Sequence, residues 1–268
     1  MQLTEQEYQS FLEKALYPCV RVRTAQAGGS GQIVHSSERN GTFCLTCQHV
    51  VDGAISIKDE WSSILQKEVK KDVRSEVQVE FFRYSYQDRA TGSEAIKADI
   101  VAYDKNEDIA LLRLKDPEPR KYVATMMPKE GIEGRLNYFD EVVTIGAAMG
   151  HPPIATVGNI CAFNDIIDNR DYMQSTAPSI FGNSGGATFH KASWELIGMP
   201  ARIAVNMSGF SADAITHLGY IVPCWRVWDF YKEQMLEFLL DDSVTYDECM
   251  ERIEERRRKV EEEERRKK

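Results

Sequence analysis

The sequence predicts an all-β fold, a barrel or sandwich, from two patterns that run through most of it. Short apolar segments with strand character recur, and glycine-rich turn-formers separate them, which fits packed antiparallel strands better than a parallel sheet. Composition agrees with a globular chain: 43% hydrophobic and 28% charged residues rule out wholesale disorder. Taken in order, Thr4 and Glu7 have capping-box spacing and Tyr8, Phe11, Leu12 and Leu16 follow at helical intervals, so a short helix should open the chain and end near Pro18. Strand candidates are then 19–24, 32–35, 42–46, 77–86, 99–103 and 109–114, followed by 141–145, 155–163, 186–189, 196–198, 203–207 and 220–222. The run Gly28-Gly29-Ser30-Gly31 and the triplet Arg39-Asn40-Gly41 read as turns between them. Residues 58–73, rich in Lys, Glu and Ser, read as an exposed helical or irregular insertion.

The C-terminal part changes character. Trp228, Tyr231, Met235, Phe238 and Leu239 recur with helical spacing within 225–240, so this helix should pack on the barrels, with Trp225 and Trp228 as its anchors. Residues 251–268 are almost wholly charged, with only Ile253 and Val260 apolar, and read as a solvated helical tail open to a regulatory partner. This gives an N-terminal helix (1–17), a central domain (18–224, divided near 120–140) and a C-terminal helix with a charged tail (225–268).

Charge and cysteine usage narrow the partners. A net charge of −9 argues against nucleic acid or an anionic membrane surface. The first residues lack a basic start followed by an apolar run, and no stretch approaches the roughly 20 apolar residues of a membrane span, so a cytoplasmic location is expected. Six scattered cysteines, Cys19, Cys44, Cys47, Cys161, Cys224 and Cys249, suit free buried thiols in a reducing compartment. Cys44 and Cys47 form a Cys-x-x-Cys pair, but on a strand these positions face opposite sides, and no second pair completes a zinc set. Packing is their expected role, with no metal and no cofactor.

Chemistry concentrates in Ser179-Ile180-Phe181-Gly182-Asn183-Ser184-Gly185-Gly186. A serine hydroxyl is a weak nucleophile that needs a neighbouring base and N–H donors for the oxyanion it creates. Gly182 lets its own amide and that of Ser184 turn into one hole, and Gly185 and Gly186 leave room for an acyl group. Two further segments supply partners. Residues 43–51 end a strand on Gln48-His49, and Asp108 stands directly before the apolar run 109–114, either as a cap or as a buried orienter of histidine.

The order His, Asp, Ser, with these surroundings, resembles the trypsin-like peptidases, and among them the HtrA/DegP branch, over residues 18 to 230. The resemblance implies a double six-stranded β-barrel and a serine endopeptidase acting on protein or peptide substrates. Ser184 would be the nucleophile, His49 the general base, Asp108 its orienter, and the Gly182 and Ser184 amides the oxyanion hole. It also places the floor of the primary pocket at Pro178 and its opposite wall at Met199, Ala201 and Arg202, which disfavours Lys or Arg specificity; an inward Arg202 would favour an acidic residue. Three departures stand out. Asn183 replaces the aspartate that answers N-terminal activation in digestive trypsins, the tail leaves no room for a PDZ module, and the pocket wall is atypical. A catalytically silent protease fold used as a binding module is the alternative. His151 is a candidate substrate contact or a loop residue, and His35, His190 and His217 have no partner motif.

Overall fold

The structure, a computed structural model, describes residues 3–62, 66–129, 132, 134–208 and 211–267. The N-terminal capping box closes as expected: the Glu7 amide donates to Thr4 Oγ1 at 3.2 Å and the Thr4 amide donates to the Glu7 carboxylate at 2.7 Å. This starts α1 (Glu5–Phe11), which widens into a π-turn over Leu12–Leu16. That turn buries Leu12, Ala15 and Leu16 before Pro18 ends it.

The strands of the first half are β1 (Cys19–Arg23), β2 (Gly28–Ser37), β3 (Gly41–Thr46), β4 (Ile55–Ser62), β5 (Lys67–Arg74), β6 (Val77–Ser85), β7 (Arg89–Asp104) and β8 (Ile109–Leu114). A short helix, α2 (Gln48–Val51), follows β3. Six of the strands close a barrel in the order β1-β2-β3-β8-β7-β6, while β4 and β5 pair only with each other. The second half supplies β9 (Glu141–Gly146), β10 (Ile154–Ile167), β11 (Arg170–Ser175), β12 (Ala187–His190), β13 (Glu195–Ser208) and β14 (Ser211–Pro223), closed in the order β10-β11-β14-β13-β12-β9. Two six-stranded barrels are therefore present, as the resemblance implies.

β3 and β8 are buried almost throughout, because they face the barrel interior on one side and the C-terminal segment on the other. Phe43 of β3 stacks 4.7 Å from Phe238 and 5.3 Å from Tyr246. Each fully buried aromatic or aliphatic side chain there contributes about 1.5–3 kcal/mol.

Three local expectations are corrected. Residues 28–31 are strand, not turn: a Cβ on Gly31 would stand 2.5 Å from Cys44 Sγ, and one on Gly29 would stand 2.9 Å from the Ser184 carbonyl. These glycines permit close approach rather than a reversal of direction. Within 58–73 the described residues form the β4–β5 hairpin, held by cross-strand pairs such as Asp59 opposite Lys70 and by the Lys71–Glu60 ion pair at 2.7 Å. The C-terminal helix is shorter than 225–240. After α3 (Cys224–Glu233), Met235 adopts φ +57, and this left-handed residue returns Leu236 and Phe238 to the barrel surface through a 3₁₀ turn, Glu237–Leu239. A second capping box, Thr245 with Glu248, starts α4 (Tyr246–Arg266), so the charged tail is helical as expected to Arg266, with Lys268 outside the described residues. Its far end meets the β4–β5 hairpin through Lys67 and Glu264 at 3.5 Å.

Candidate active site

The end of β3 delivers histidine to a cleft. Cys47 N-caps α2, and buried Val50 and Val51 fix that turn so that His49 projects outward, about half exposed. Asp108 is buried and sits at φ +56 immediately before β8, a left-handed position that Asp tolerates better than most residues. Its Oδ1 accepts the His49 backbone N–H at 3.0 Å, and both carboxylate oxygens meet His49 Nδ1, at 3.0 and 2.9 Å. A carboxylate only accepts, so Nδ1 carries a proton in this contact.

The turn that carries Asp108 is held from the other barrel. Arg226 of α3, 8% exposed, donates to the Glu107 carboxylate at 2.6 Å and to the Glu107 carbonyl at 2.8 Å, and Arg170 stands 2.6 Å from the other carboxylate oxygen. Neither arginine could be assigned from spacing, because Arg226 lies 119 residues from its partner.

Ser184 rides on a tight loop in which Gly182 (φ +96) and Gly185 (φ +81) both take left-handed conformations. Ser30 of β2, fully buried, clamps this loop across the barrel interface. Its Oγ donates to the Gly182 carbonyl at 2.6 Å and accepts the Ala147 amide at 2.7 Å, while its own amide donates to the Ser184 carbonyl at 2.8 Å. The Phe181 carbonyl accepts from the Met149 amide at 2.8 Å. Among the described residues, neither the Gly182 nor the Ser184 amide donates to any group. Ser184 Oγ donates to the Ala201 carbonyl at 3.3 Å. Asn183 is buried, with its Oδ1 lacking a partner among the described residues.

His49 and Ser184 line one cavity of about 290 Å³ with Ser179, Ile180, Ala201 and Arg202. Arg202 is half exposed, paired with Asp168 at 2.8 Å and lying 5.4 Å from the Tyr172 ring centre. The other two expected wall residues lie elsewhere. Pro178 is exposed, its carbonyl accepting from Thr156 Oγ1 at 2.7 Å, and Met199 is buried in the core of β13. Ser179, not Pro178, lines the cavity. His151 is exposed in a turn and lines neither this cavity nor its neighbour.

Cys47 lies past the end of β3 rather than on it, with Sγ directed at the Pro200 carbonyl, 3.6 Å away. Its sulfur falls within 4.8 Å of the His49 and Asp108 donor atoms. Those two are hydrogen-bonded at 2.9 Å, closer than the ~3.3 Å that separates two ligands on one tetrahedral zinc, so the group is arranged for a proton rather than a cation. Full burial pushes the Cys47 thiol well above its ordinary value, and the neighbouring Asp108 charge adds to the effect.

A family model for the trypsin-like peptidase domain matches residues 29–199, from the strand glycines of β2 to Met199 of β13. The chain belongs to that family. Two solved structures of the HtrA-type protease AlgW with a tripeptide share the fold of this trypsin-like peptidase chain, each with a TM-score of 0.60 and 20% identity. Each match covers 87% of this chain and 63% of the AlgW chain, so the chain spans less than two thirds of those proteins. No curated protein matches the chain.

Proposed function

We propose that this trypsin-like peptidase is a serine endopeptidase whose protease domain is formed by residues 18–224, with Ser184 as nucleophile, His49 as base and Asp108 as orienter. One observation carries the reading: His49, held through Nδ1 by a buried carboxylate, and Ser184 open into the same cavity. Ser184 Oγ would leave its contact with the Ala201 carbonyl and turn to His49 Nε2 as it attacks the scissile carbonyl. His49 takes the proton, and the imidazolium is stabilised by Asp108. The unpaired Gly182 and Ser184 amides are available to the tetrahedral oxyanion. The acyl-enzyme forms as the amine departs with the proton from His49, and water then reverses the sequence. Ile180, Ala201 and Ile203 give the acyl-side pocket an apolar lining, which supports preference for apolar rather than basic side chains. Free thiols throughout support action in a reducing, cytoplasmic compartment.

A fluorophosphonate probe tests the assignment. Labelling of the wild type that disappears in Ser184→Ala and falls by about 10³-fold or more in His49→Ala is expected. The resting Ser184–Ala201 hydrogen bond favours a second reading, a protease fold used only for binding. A folded wild type that stays unlabelled would establish that reading instead.

A further inference from the structure

Phe181 lines both the His49–Ser184 cavity and a second one. This second cavity, about 510 Å³, is bounded by Gly28, Gly29, Met149, Phe181 and Gly182, and its charged lining side chains are Arg21 and Arg23 of β1. β1 pairs with β6 so that Arg21 faces Glu80 and Arg23 faces Gln78. Glu80, buried, receives both guanidiniums: Arg21 through Nε, and Arg23 through Nη2 at 2.6 Å. Arg21 also donates to the Gly150 carbonyl, which ties it to the loop beside Gly182, and Arg23 donates to Gln78 at 3.2 Å. Two cations therefore share one carboxylate, and no acidic side chain lines the cavity among the described residues. The surplus positive charge is local, since the whole chain carries −9.

We propose that this cavity is a leaving-group-side subsite that selects an Asp or Glu in the first two residues after the scissile bond. The inference rests on the peptidase reading above, which places the acyl-side residue in the Ile180–Ala201 pocket; the chain leaving over Gly182 must then enter the neighbouring cavity. A carboxylate arriving there completes the charge balance that Glu80 leaves unfilled. It meets the Nε and Nη1 donors of Arg23, whose Nη2 is held by Glu80 and Gln78, in a charge-assisted contact. Arg23 is the selecting residue, because about half of its side chain is exposed, whereas Arg21, 21% exposed, is committed to Glu80 and Gly150.

Mass-spectrometric profiling of cleavage in a random peptide library tests this. Asp and Glu should be enriched over Asn and Gln, by about tenfold at one of the two positions after the cut, as expected for a charge-assisted pair in a partly desolvated site. Arg23→Gln should reduce that ratio to about one, and Arg23→Lys should keep part of it. Cleavage without acidic enrichment, or enrichment unchanged in a folded Arg23→Gln, overturns the inference while leaving the peptidase reading intact. If no peptide is cut, fluorescence anisotropy with Ser184→Ala and labelled peptides differing only by Glu or Gln reads the subsite directly. Weaker binding of the Gln peptides, abolished as a difference by Arg23→Gln, supports it; equal binding overturns it.

Discussion

Ser30 holds three backbone positions of the opposite barrel with one hydroxyl and one amide. Ser30→Ala removes the hydroxyl and leaves the Gly182 carbonyl and the Ala147 amide buried without their partner, at about 1–3 kcal/mol each. Because Gly182 supplies half of the proposed oxyanion hole, kcat on a peptide substrate should fall about 10–100-fold, with KM changed by less than about twofold. A loss confined to melting temperature would instead make Ser30 merely structural. At this scale the sequence was legible where chemistry is local. The glycines around Ser184 and the acid before the 109–114 strand stand out in the sequence, and both fall where the backbone turns left-handed, at Gly182, Gly185 and Asp108. Ser30 and Glu107 were not legible as clamps, since their partners sit 152 and 119 residues away and nothing in the local pattern marks the contact.

α3 does more than cover the barrels. Its Arg226 fastens the Glu107–Asp108 turn, accepts the company of the Tyr172 ring at 5.1 Å, and donates to the Asp171 carbonyl at 2.9 Å. Arg226→Met keeps the stem but strands Glu107 beside Arg170 alone, and should cost about 2–3 kcal/mol in urea unfolding and weaken His49 orientation, lowering kcat. Arg226→Lys should not restore it, since a single ammonium cannot span the carboxylate and two carbonyls. Element boundaries were readable where apolar runs were bounded by turn chemistry, as in β8, which matches 109–114 residue for residue. The β4–β5 hairpin escaped notice because consecutive charged residues, Lys58-Asp59-Glu60 and Lys70-Lys71-Asp72, hide a period of two when neither face is buried. The glycines of β2 misled in the opposite sense, since turn-forming residues also serve where two backbones touch.

Across the whole molecule, the C-terminal segment and the first barrel are welded by aromatic contacts, and His35 lies at the weld. It packs against Phe43 and Phe238, 5.9 and 5.7 Å between ring centres, and burial lowers its pKa, with Asp242 opposing. The folded chain thus binds this proton less readily than the unfolded chain, which titrates near 6.5. Stability from this site is complete above that pH and is lost as pH falls below it. The melting temperature should drop between pH 7.5 and pH 5.5 more steeply in the wild type than in His35→Gln, as differential scanning fluorimetry would read; parallel curves would exclude the site. The all-β plan was visible in the rhythm of strands and turns, the double barrel in the family resemblance, and the packing of a C-terminal helix on the barrels in its apolar spacing, whereas the seating of Phe238 and Tyr246 on Phe43 was not, because it depends on a surface that exists only after the barrel closes. The reach of Arg226 back to the Asp108 turn also sets a timetable for synthesis. A ribosome releases His49 and Asp108 long before Ser184, and Ser184 before the arginine that steadies Asp108. On the peptidase reading proposed above, a chain interrupted anywhere short of α3 would leave the cleft without its final brace, so prematurely ended copies would be poorly equipped to cut their neighbours.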